Sequence, residues 1–330
     1  MGEFGLIERV FRRRTDAAPR CDEVALGIGD DCALLNIPPG QQLAVSSDML
    51  AEGRHFFPDV DPAALGHKAL AVNLSDLAAM GAQPLAFTLA LALPPERARD
   101  AAWLDAFAAG LLQLAAEQRC ALIGGDTTAG PLNVCITVFG LVPPGQALRR
   151  DGARAGDDLW VSGALGDARL ALEALRGSVD LAPALLAQAR QRLERPTPRI
   201  ALGLALRGVA SSCIDLSDGL AGDLRHVLRA SRAGASVDAD AAAGLLQTPA
   251  VLSRQQRYAF TLAGGDDYEL LFTAPSDCRA TVLAAARAAA TPVTRIGHIT
   301  AAPGLILHDA QGRALAGEFA GFDHFAGICT

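Results

Sequence analysis

Short apolar runs with a β-like composition alternate with long segments of helical periodicity through the first half of this chain. Helical segments repeat apolar residues every three or four positions, whereas strands are short apolar runs bounded by turn residues. This alternation is typical of α/β and α+β domains. It predicts strands at Gln42–Ser46, Leu85–Leu93, Ala121–Ile123 and Asn133–Val142, and helices at Pro62–Met80 and Glu96–Gln118.

The pattern breaks at Pro143-Pro144-Gly145, and a charged stretch then leads to a new strand at Leu159–Ser162. We therefore predict two domains, residues 1–150 and 151–330, because 330 residues with 51% hydrophobic content can bury two cores. After Asp238 the second half contains a less regular segment. Its predicted helices are Leu165–Leu175, Ala182–Leu193, Arg199–Arg207, Gly219–Ala233 and Ser276–Ala289, and its predicted strands are Ser212–Ile214, Tyr268–Thr273, Thr294–Ile299 and Leu305–His308.

Composition excludes several classes of function. The formal charge of −7 argues against a nucleic-acid surface, and Lys68, the one lysine, does not lie in a P-loop frame. The longest apolar stretch, Pro84–Pro95, is too short to cross a bilayer, and the N-terminus lacks the pattern of a signal peptide. The seven cysteines form no C-x-x-C pair, which favours reduced thiols. We expect a cytoplasmic protein with no membrane or nucleic-acid partner.

Six short blocks place an aspartate directly after an apolar run and a small or polar residue. Small residues let the backbone approach a ligand closely, and an aspartate there projects a hard oxygen ligand on a short stem. Several of the blocks lie at the ends of predicted strands or helices. They are GIGDD at 27–31, SSD at 46–48, NLSD at 73–76, GGDT at 124–127, DLSD at 215–218 and GGDD at 264–267.

For any single block, an ordinary turn or helix N-cap is the better explanation. Six together favour a shared site, since clustered carboxylates repel one another without bound cations. Asp76 also lies among Leu74, Leu77 and Met80 of an apolar helix, where a charge needs a partner. Without an H-E-x-x-H or C-x-x-C motif, an oxygen ligand set suits Mg²⁺ held jointly with phosphates. The chemistry indicated is phosphoryl transfer.

The ordered motifs GIGDDCALL, SSDML followed by His55, NLSDLAAMGA, LIGGDTT, IDLSDGL and GGDDYEL resemble those of the thiamine-monophosphate kinases. The resemblance covers nearly the whole chain. It implies the two-domain PurM-like fold of the aminoimidazole ribonucleotide synthetase superfamily, with an N-terminal mixed sheet that binds ATP and Mg²⁺ and forms a homodimer, and a C-terminal α+β domain. It also implies the reaction of ATP with thiamine monophosphate to give thiamine diphosphate and ADP.

The resemblance further assigns roles to individual residues. Asp76, Asp126 and Asp218 are the implied catalytic residues. ATP is held by Gly125, Asp126, Arg150 and Ser217, and thiamine monophosphate lies by His55, Asp266 and Phe322. Several Mg²⁺ ions are bound by Asp30, Ser46, Ser47, Asp48, Asp76, Asp126, Asp215 and Asp218.

Two positions depart from the family pattern: Asp266 stands where many relatives have Glu, and Phe322 stands where a Trp or Tyr is frequent. Without the resemblance, Arg150 is better explained as a solvated linker arginine, and a lone histidine such as His55 is more often a surface or packing residue. Two other functions stay open at this point. One is another ATP-dependent PurM-like synthetase, and the other is a non-catalytic nucleotide-binding regulator.

Overall fold

The structure is a computed structural model that describes residues 3–16, 22–248, 252–315, 319 and 321. The chain divides into two compact units. Unit 1 comprises Met1–Leu77 and Ala82–Gly145, and unit 2 comprises Ala78–Gly81 and Gln146–Thr330. The last residues of one long helix and the turn after it therefore belong to unit 2.

Unit 1 is built on a four-stranded mixed sheet and a separate two-stranded one. The strands are β1 (Val24–Leu26), β2 (Leu34–Leu35), β3 (Gln42–Ala51), β4 (Gln83–Leu93), β5 (Ala121–Ala129) and β6 (Asn133–Val142). The larger sheet has the order β3-β6-β4-β5, in which β6 is antiparallel to both neighbours and β4 and β5 are parallel. A parallel pair needs a crossover connection, and helices supply it here.

The helices of unit 1 include two long apolar ones that cross closely. They are α1 (Glu3–Ile7), a π-helical turn (Glu8–Arg12), α2 (Arg13–Asp16), α3 (Pro62–Ala79), α4 (Pro95–Arg99) and α5 (Ala101–Glu117). A Cβ atom on Gly66 of α3 would overlap the carbonyl oxygen of Phe107, and one on Gly110 of α5 would overlap that of Ala63. The two glycines thus let the backbones of α3 and α5 touch.

The predicted helix Glu96–Gln118 is wrong as a single element, because it is interrupted at Asp100. The backbone of Asp100 is extended (φ −83°, ψ 93°), and its carboxylate accepts a hydrogen bond from the N–H of Trp103 at 3.0 Å. That bond caps the first turn of α5, which is the role an aspartate fills best at a helix N-terminus.

Unit 2 contains a six-stranded sheet of the order β12-β9-β11-β7-β10-β8. All its pairs are antiparallel except β12 with β9. Strands β7, β8 and β10 are buried along their whole length, so they lie in the core of the unit. The strands are β7 (Asp158–Ser162), β8 (Ser212–Asp215), β9 (Gly234–Asp238), β10 (Leu270–Ala274), β11 (Val293–Thr300) and β12 (Gly304–His308).

Helices connect these strands, including one in the segment expected to be less regular. Ser253 and Gln256 form a reciprocal capping box that begins α11, whose buried side chains include Tyr258 and Leu262. The helices are α6 (Asp167–Leu175), α7 (Pro183–Glu194), α8 (Ile200–Ala205), α9 (Leu220–Ser231), α10 (Ala239–Ala243), α11 (Arg254–Ala263) and, after a 3₁₀ turn at Ser276–Cys278, α12 (Arg279–Ala288).

The predicted combination of mixed sheets with helices is confirmed in both units. Two of the aspartate blocks expected at strand ends lie inside strands instead, block 46–48 in β3 and block 124–127 in β5. Block 73–76 lies inside α3, within the predicted helix Pro62–Met80. None of the helices in the described ranges is long and apolar enough to span a membrane.

Candidate active site

In unit 1 the second and third aspartate blocks meet where β3 passes α3. The Ser46 hydroxyl donates a hydrogen bond of 2.5 Å to Oδ2 of Asp76. One helical turn earlier, Oδ1 of the buried Asn73 accepts the backbone N–H of Asp48 at 3.0 Å. The Asp76 carboxylate in the apolar helix α3 therefore has a hydroxyl partner, Ser46, on β3. Asn73 of the same helix holds the backbone of Asp48 in place.

Ser47 makes different contacts from Ser46. Its hydroxyl donates to the carbonyl oxygen of Ile136 at 3.1 Å and lies 3.0 Å from Oγ1 of Thr137, both on β6. Successive residues of a strand point to opposite faces, and exposure along β3 alternates accordingly. Ser46 and Asp48 share the face that meets α3, and Ser47 lies on the other.

Asp30 and Asp126 are both exposed and belong to different local structures. Asp30 follows β1 in a turn, where its Oδ1 accepts the N–H of Asp31 at 2.8 Å. Asp126 is paired with Ala90 in the ladder between β5 and β4. The preceding Gly125 has φ +143°, and a Cβ atom there would overlap the carbonyl oxygen of Leu89. Only glycine fits this close approach, which exposes the backbone next to Asp126.

His55 lies in the turn after β3 and is held at two points. Its Nδ1 accepts the backbone N–H of Ala51 at 3.0 Å, and Lys68 Nζ donates to its carbonyl oxygen at 3.3 Å. Because Nδ1 is an acceptor, a neutral His55 carries its proton on Nε2. The ring is thereby fixed as a donor at Nε2.

In unit 2 the last two aspartate blocks are joined through backbone atoms. The Asp215 loop (residues 215–219) begins at the last residue of β8, and the Asp266 loop (residues 264–269) precedes β10. The N–H of Asp266 donates to Ser217 O at 2.9 Å, and the N–H of Tyr268 donates to Leu216 O at 2.8 Å. The N–H of Leu216 in turn donates to Glu269 O at 2.9 Å. Three bonds therefore hold the two loops together.

Asp223, which was not predicted from the sequence, holds the Asp215 loop from the first turn of α9. Its Oδ2 accepts the backbone N–H groups of Asp218 and Gly219, each at 3.1 Å. Burial, and then the charge of Asp218, raise the pKa of Asp223 to about 7, whereas the charge of Arg150 lowers it. Arg150 is exposed and close enough to act on that carboxyl group. An acidic residue in the first turn of a helix is the signal that would have identified Asp223.

The Asp266 loop has an unusual backbone and two buried acids. Asp266 (φ 65°) and Tyr268 (φ 49°) are left-handed, a conformation that non-glycine residues rarely adopt. Between them, Asp267 is buried and its Oδ1 accepts the N–H of Gly166 at 2.9 Å. Burial raises the pKa of Asp267 well above its ordinary value. Glu269, fully buried, was also missed, because its burial is not visible in the motif GGDDYEL.

The oxygen donors of the site suit Mg²⁺, which prefers carboxylates, hydroxyls and phosphates over nitrogen or sulfur. The Ser46 hydroxyl already contacts the Asp76 carboxylate, so two of the expected ligands are adjacent. Among residues 3–16, 22–248, 252–315, 319 and 321, no group of three or more His, Cys, Asp or Glu side chains is arranged to hold a metal ion. The substrate residue expected at Phe322 lies outside the described residues.

Comparisons with known proteins agree with this fold. The model of the AIR synthase related protein N-terminal domain matches residues 29–142, and that of the C-terminal domain matches residues 154–310. Fold and site thus define a two-domain protein of the AIR synthase related class. The thiamine-monophosphate kinase of Escherichia coli (strain K12) is 47% identical over 330 residues, covering 98% of each chain. The chain belongs to the thiamine-monophosphate kinase family.

Solved structures give the same result. A thiamine-monophosphate kinase from Stenotrophomonas maltophilia K279a superposes with a TM-score of 0.84 at 45% identity, covering 96% of this chain and 98% of that one. The structure of AaThiL complexed with AMPPCP and TMP superposes with a TM-score of 0.72 at 26% identity, covering 98% and 97%. The fold predicted from the resemblance is confirmed.

Proposed function

We propose that this chain transfers the γ-phosphoryl group of ATP to thiamine monophosphate, giving thiamine diphosphate and ADP. The observation that carries the proposal is the full-length similarity to thiamine-monophosphate kinases, 47% identical over 98% of the chain. The relative solved with AMPPCP and TMP, which covers the chain to the same extent, supports the same pair of substrates. A cytoplasmic location accords with the use of ATP.

The reaction needs positioning and charge neutralisation more than a covalent side chain. A phosphate oxygen of thiamine monophosphate attacks the γ-phosphorus of ATP in line, and ADP leaves. A phosphate monoester has a second pKa of about 6, so the attacking oxygen is already largely deprotonated at neutral pH. No general base is required. The remaining barrier is the approach of two anions, which bound Mg²⁺ neutralises when present.

The residues proposed to hold Mg²⁺ are those that the resemblance implies. Those of unit 1 come from a turn, from β3, from α3 and from β5, and those of unit 2 from the Asp215 loop. The contact between Ser46 and Asp76 supports joint ligation by these two residues. The proposed set is Asp30, Ser46, Asp48, Asp76 and Asp126 in unit 1 and Asp215 and Asp218 in unit 2. Ser47 is left out of it, because its hydroxyl lies on the opposite face of β3 from Ser46 and Asp48.

The substrates are assigned to the remaining site residues. In the proposed arrangement Gly125 and Asp126 approach the nucleotide through the exposed backbone of β5, and Ser217 does so from the Asp215 loop. The Arg150 guanidinium can pair two phosphate oxygens with its planar fork. His55 donates from Nε2 toward the phosphate of thiamine monophosphate, and Asp266 faces the same substrate.

We further propose a homodimer that forms through the sheet of unit 1. Of the eight exposed large hydrophobic residues in the described part of the chain, five lie between Leu34 and Met49. On β3, Leu43, Val45 and Met49 are 41%, 56% and 55% exposed and share one face. Several exposed apolar residues close together on one surface are typical of protein interfaces.

The decisive experiment measures ADP release by a coupled assay with ATP and Mg²⁺, with and without thiamine monophosphate. We expect release only with thiamine monophosphate, together with thiamine diphosphate detected by chromatography. Release that depends instead on another acceptor would indicate a different synthetase of the class. ATP binding by calorimetry without turnover on any acceptor would indicate a nucleotide-binding regulator. Either outcome would overturn the proposal.

A further inference from the structure

Glu269 is a completely buried carboxylate at the centre of an ion cluster in unit 2. It accepts two hydrogen bonds from Arg199, both of 2.6 Å, and one of 2.6 Å from Arg192. The Ser162 hydroxyl donates to its Oε2 at 2.6 Å. A Cβ atom on Gly163 would overlap the carboxylate, so the backbone there lies directly against it.

Burying a charge is costly unless it is paired and fully hydrogen-bonded. Both arginines are themselves largely buried, with 18% and 15% of their side chains exposed for Arg192 and Arg199. A cluster of this kind is poor evidence for stability, because packed apolar residues serve a core at least as well. Its value lies in fixing one arrangement of the segments that it joins.

The segments joined by Glu269 are the end of β7 and the Asp266 loop. The backbone N–H of Ala164 donates to Glu269 at 3.3 Å, and that of Gly166 donates to Asp267 at 2.9 Å. Arg192 also donates to the carbonyl oxygen of Asp267 at 3.4 Å. The loop is therefore anchored through residues 267 and 269, which alternate with the left-handed residues 266 and 268.

The left-handed conformation is unfavourable for a non-glycine residue and persists where the surroundings over-determine it. Without its anchor the loop would relax, and the Asp266 carboxylate would lose its direction. The Asp215 loop has an anchor of its own, since the carboxylate of Asp223 holds the N–H groups of Asp218 and Gly219. The Asp266 loop, proposed to face the acceptor, is thus held by Asp267 and Glu269. The Asp215 loop, proposed to face the nucleotide, is held by a different buried acid, Asp223.

We propose that Glu269, with Arg192 and Arg199, is a positioning residue that orients Asp266 toward the acceptor substrate. This inference rests on the proposed function, in which Asp266 faces thiamine monophosphate. Glu269 touches no substrate and acts only through the loop. Its removal should therefore weaken the use of the acceptor selectively and leave the use of ATP intact.

The test is steady-state kinetics of Glu269→Gln, which keeps the size of the side chain and removes its charge. We expect KM for thiamine monophosphate to rise about tenfold, which corresponds to about 1.4 kcal/mol, and KM for ATP to stay within about twofold. Asp266→Asn should raise the same KM, because asparagine tolerates the left-handed backbone and removes only the charge. Arg199→Gln should act in the same direction and less strongly, since Arg192 remains.

The matched control is Asp158→Asn. Asp158 is also buried and also paired with two arginines, Arg279 and Arg295, in the same sheet. Its loss should lower the melting temperature and change neither KM. If Glu269→Gln behaves like this control, or raises both KM values together, the positioning role is refuted. If Glu269→Gln does not fold, Arg199→Gln decides by the same criterion. An inactive wild-type protein would instead refute the proposed function itself.

Discussion

At the scale of single residues, the contact between Ser46 and Asp76 allows one substitution to distinguish the role of Asp76 in folding from its proposed role in catalysis. The Ser46 hydroxyl donates to Oδ2 of Asp76, and an asparagine at 76 offers an amide oxygen of the same size to that donor. Asp76→Asn should therefore melt within a few degrees of the wild type. It should reduce kcat to background in the ADP-release assay, because the charge proposed to hold Mg²⁺ is gone.

The same result is expected for Asp126→Asn, and Asp59→Asn serves as the control. Asp59 is an exposed carboxylate of unit 1 outside the six blocks, so its loss should leave kcat unchanged. A variant at position 76 or 126 with normal kcat would contradict the proposed role of that carboxylate.

Individual residues also show where sequence reasoning reaches its limit. The six blocks could be identified because each puts an aspartate beside a small residue, and contacts now join 46–48 with 73–76 and 215–218 with 264–267. Glu269 was missed because what distinguishes it is burial and hydrogen-bond partners far away in the sequence, and the local sequence shows neither. Asp223 was missed although its position in the first turn of α9 is a local signal. The metal ligand set stays a prediction.

At the scale of elements, the crossing of α3 and α5 reverses the usual preference of helices for alanine over glycine. Gly110→Ala would gain about 1 kcal/mol of stability from helix propensity alone. Here the added methyl group would overlap Ala63 O, so we expect a loss of about 1–3 kcal/mol, measured as a lower midpoint of urea unfolding. Ala109→Gly, at the exposed neighbouring position, should lose about 1 kcal/mol by propensity only. A stabilised Gly110→Ala would show that the helices can move apart.

A second prediction concerns the ion pairs that join β7, α12 and β11. The hydrogen bond from Arg279 is the largest cause that lowers the pKa of Asp158 below its ordinary value, and Arg295 adds to it. The unfolded chain therefore binds a proton at this group more readily than the folded one, and stability falls as the pH drops below about 4. Asp158→Asn should lose less stability between pH 6 and pH 3 than the wild type in urea titrations. Equal losses would contradict this assignment.

Elements were predicted best where hydrophobic periodicity was uninterrupted, as in α3 and β6. The break at Asp100 was missed because residues 96–118 keep a helical pattern, and only the capping bond to Trp103 reveals the new start. Strand β5 was predicted to end at Ile123, since Gly124 and Gly125 resemble a turn. Pairing with β4 continues to Ala129 because Gly125 permits the close approach. Pairing with the neighbouring strand β4 thus determines the structure here, and the tendency of two consecutive glycines to form a turn does not.

At the scale of the whole molecule, the exposed face of β3 predicts an oligomer that one charge can dissociate. Val45→Glu would bury an unpaired carboxylate in the proposed interface, at a cost of about 3 kcal/mol or more. We expect the dimer dissociation constant to rise about a hundredfold in analytical ultracentrifugation. Ile306→Glu is the matched control, because Ile306 on β12 is equally exposed, at 56%. A wild-type monomer, or the same shift in both variants, would refute the proposed interface.

The backbone bonds between the Asp215 loop and the Asp266 loop also determine how the acceptor specificity of this protein could be redesigned. Each of the three bonds uses main-chain atoms, so none disappears when the side chain at Ser217 or Asp266 is replaced. Position 266 is therefore suited to a small mutant library. The library should be limited to aspartate, asparagine and glycine, the residues that tolerate its backbone, and screened against phosphate monoesters of different ring size.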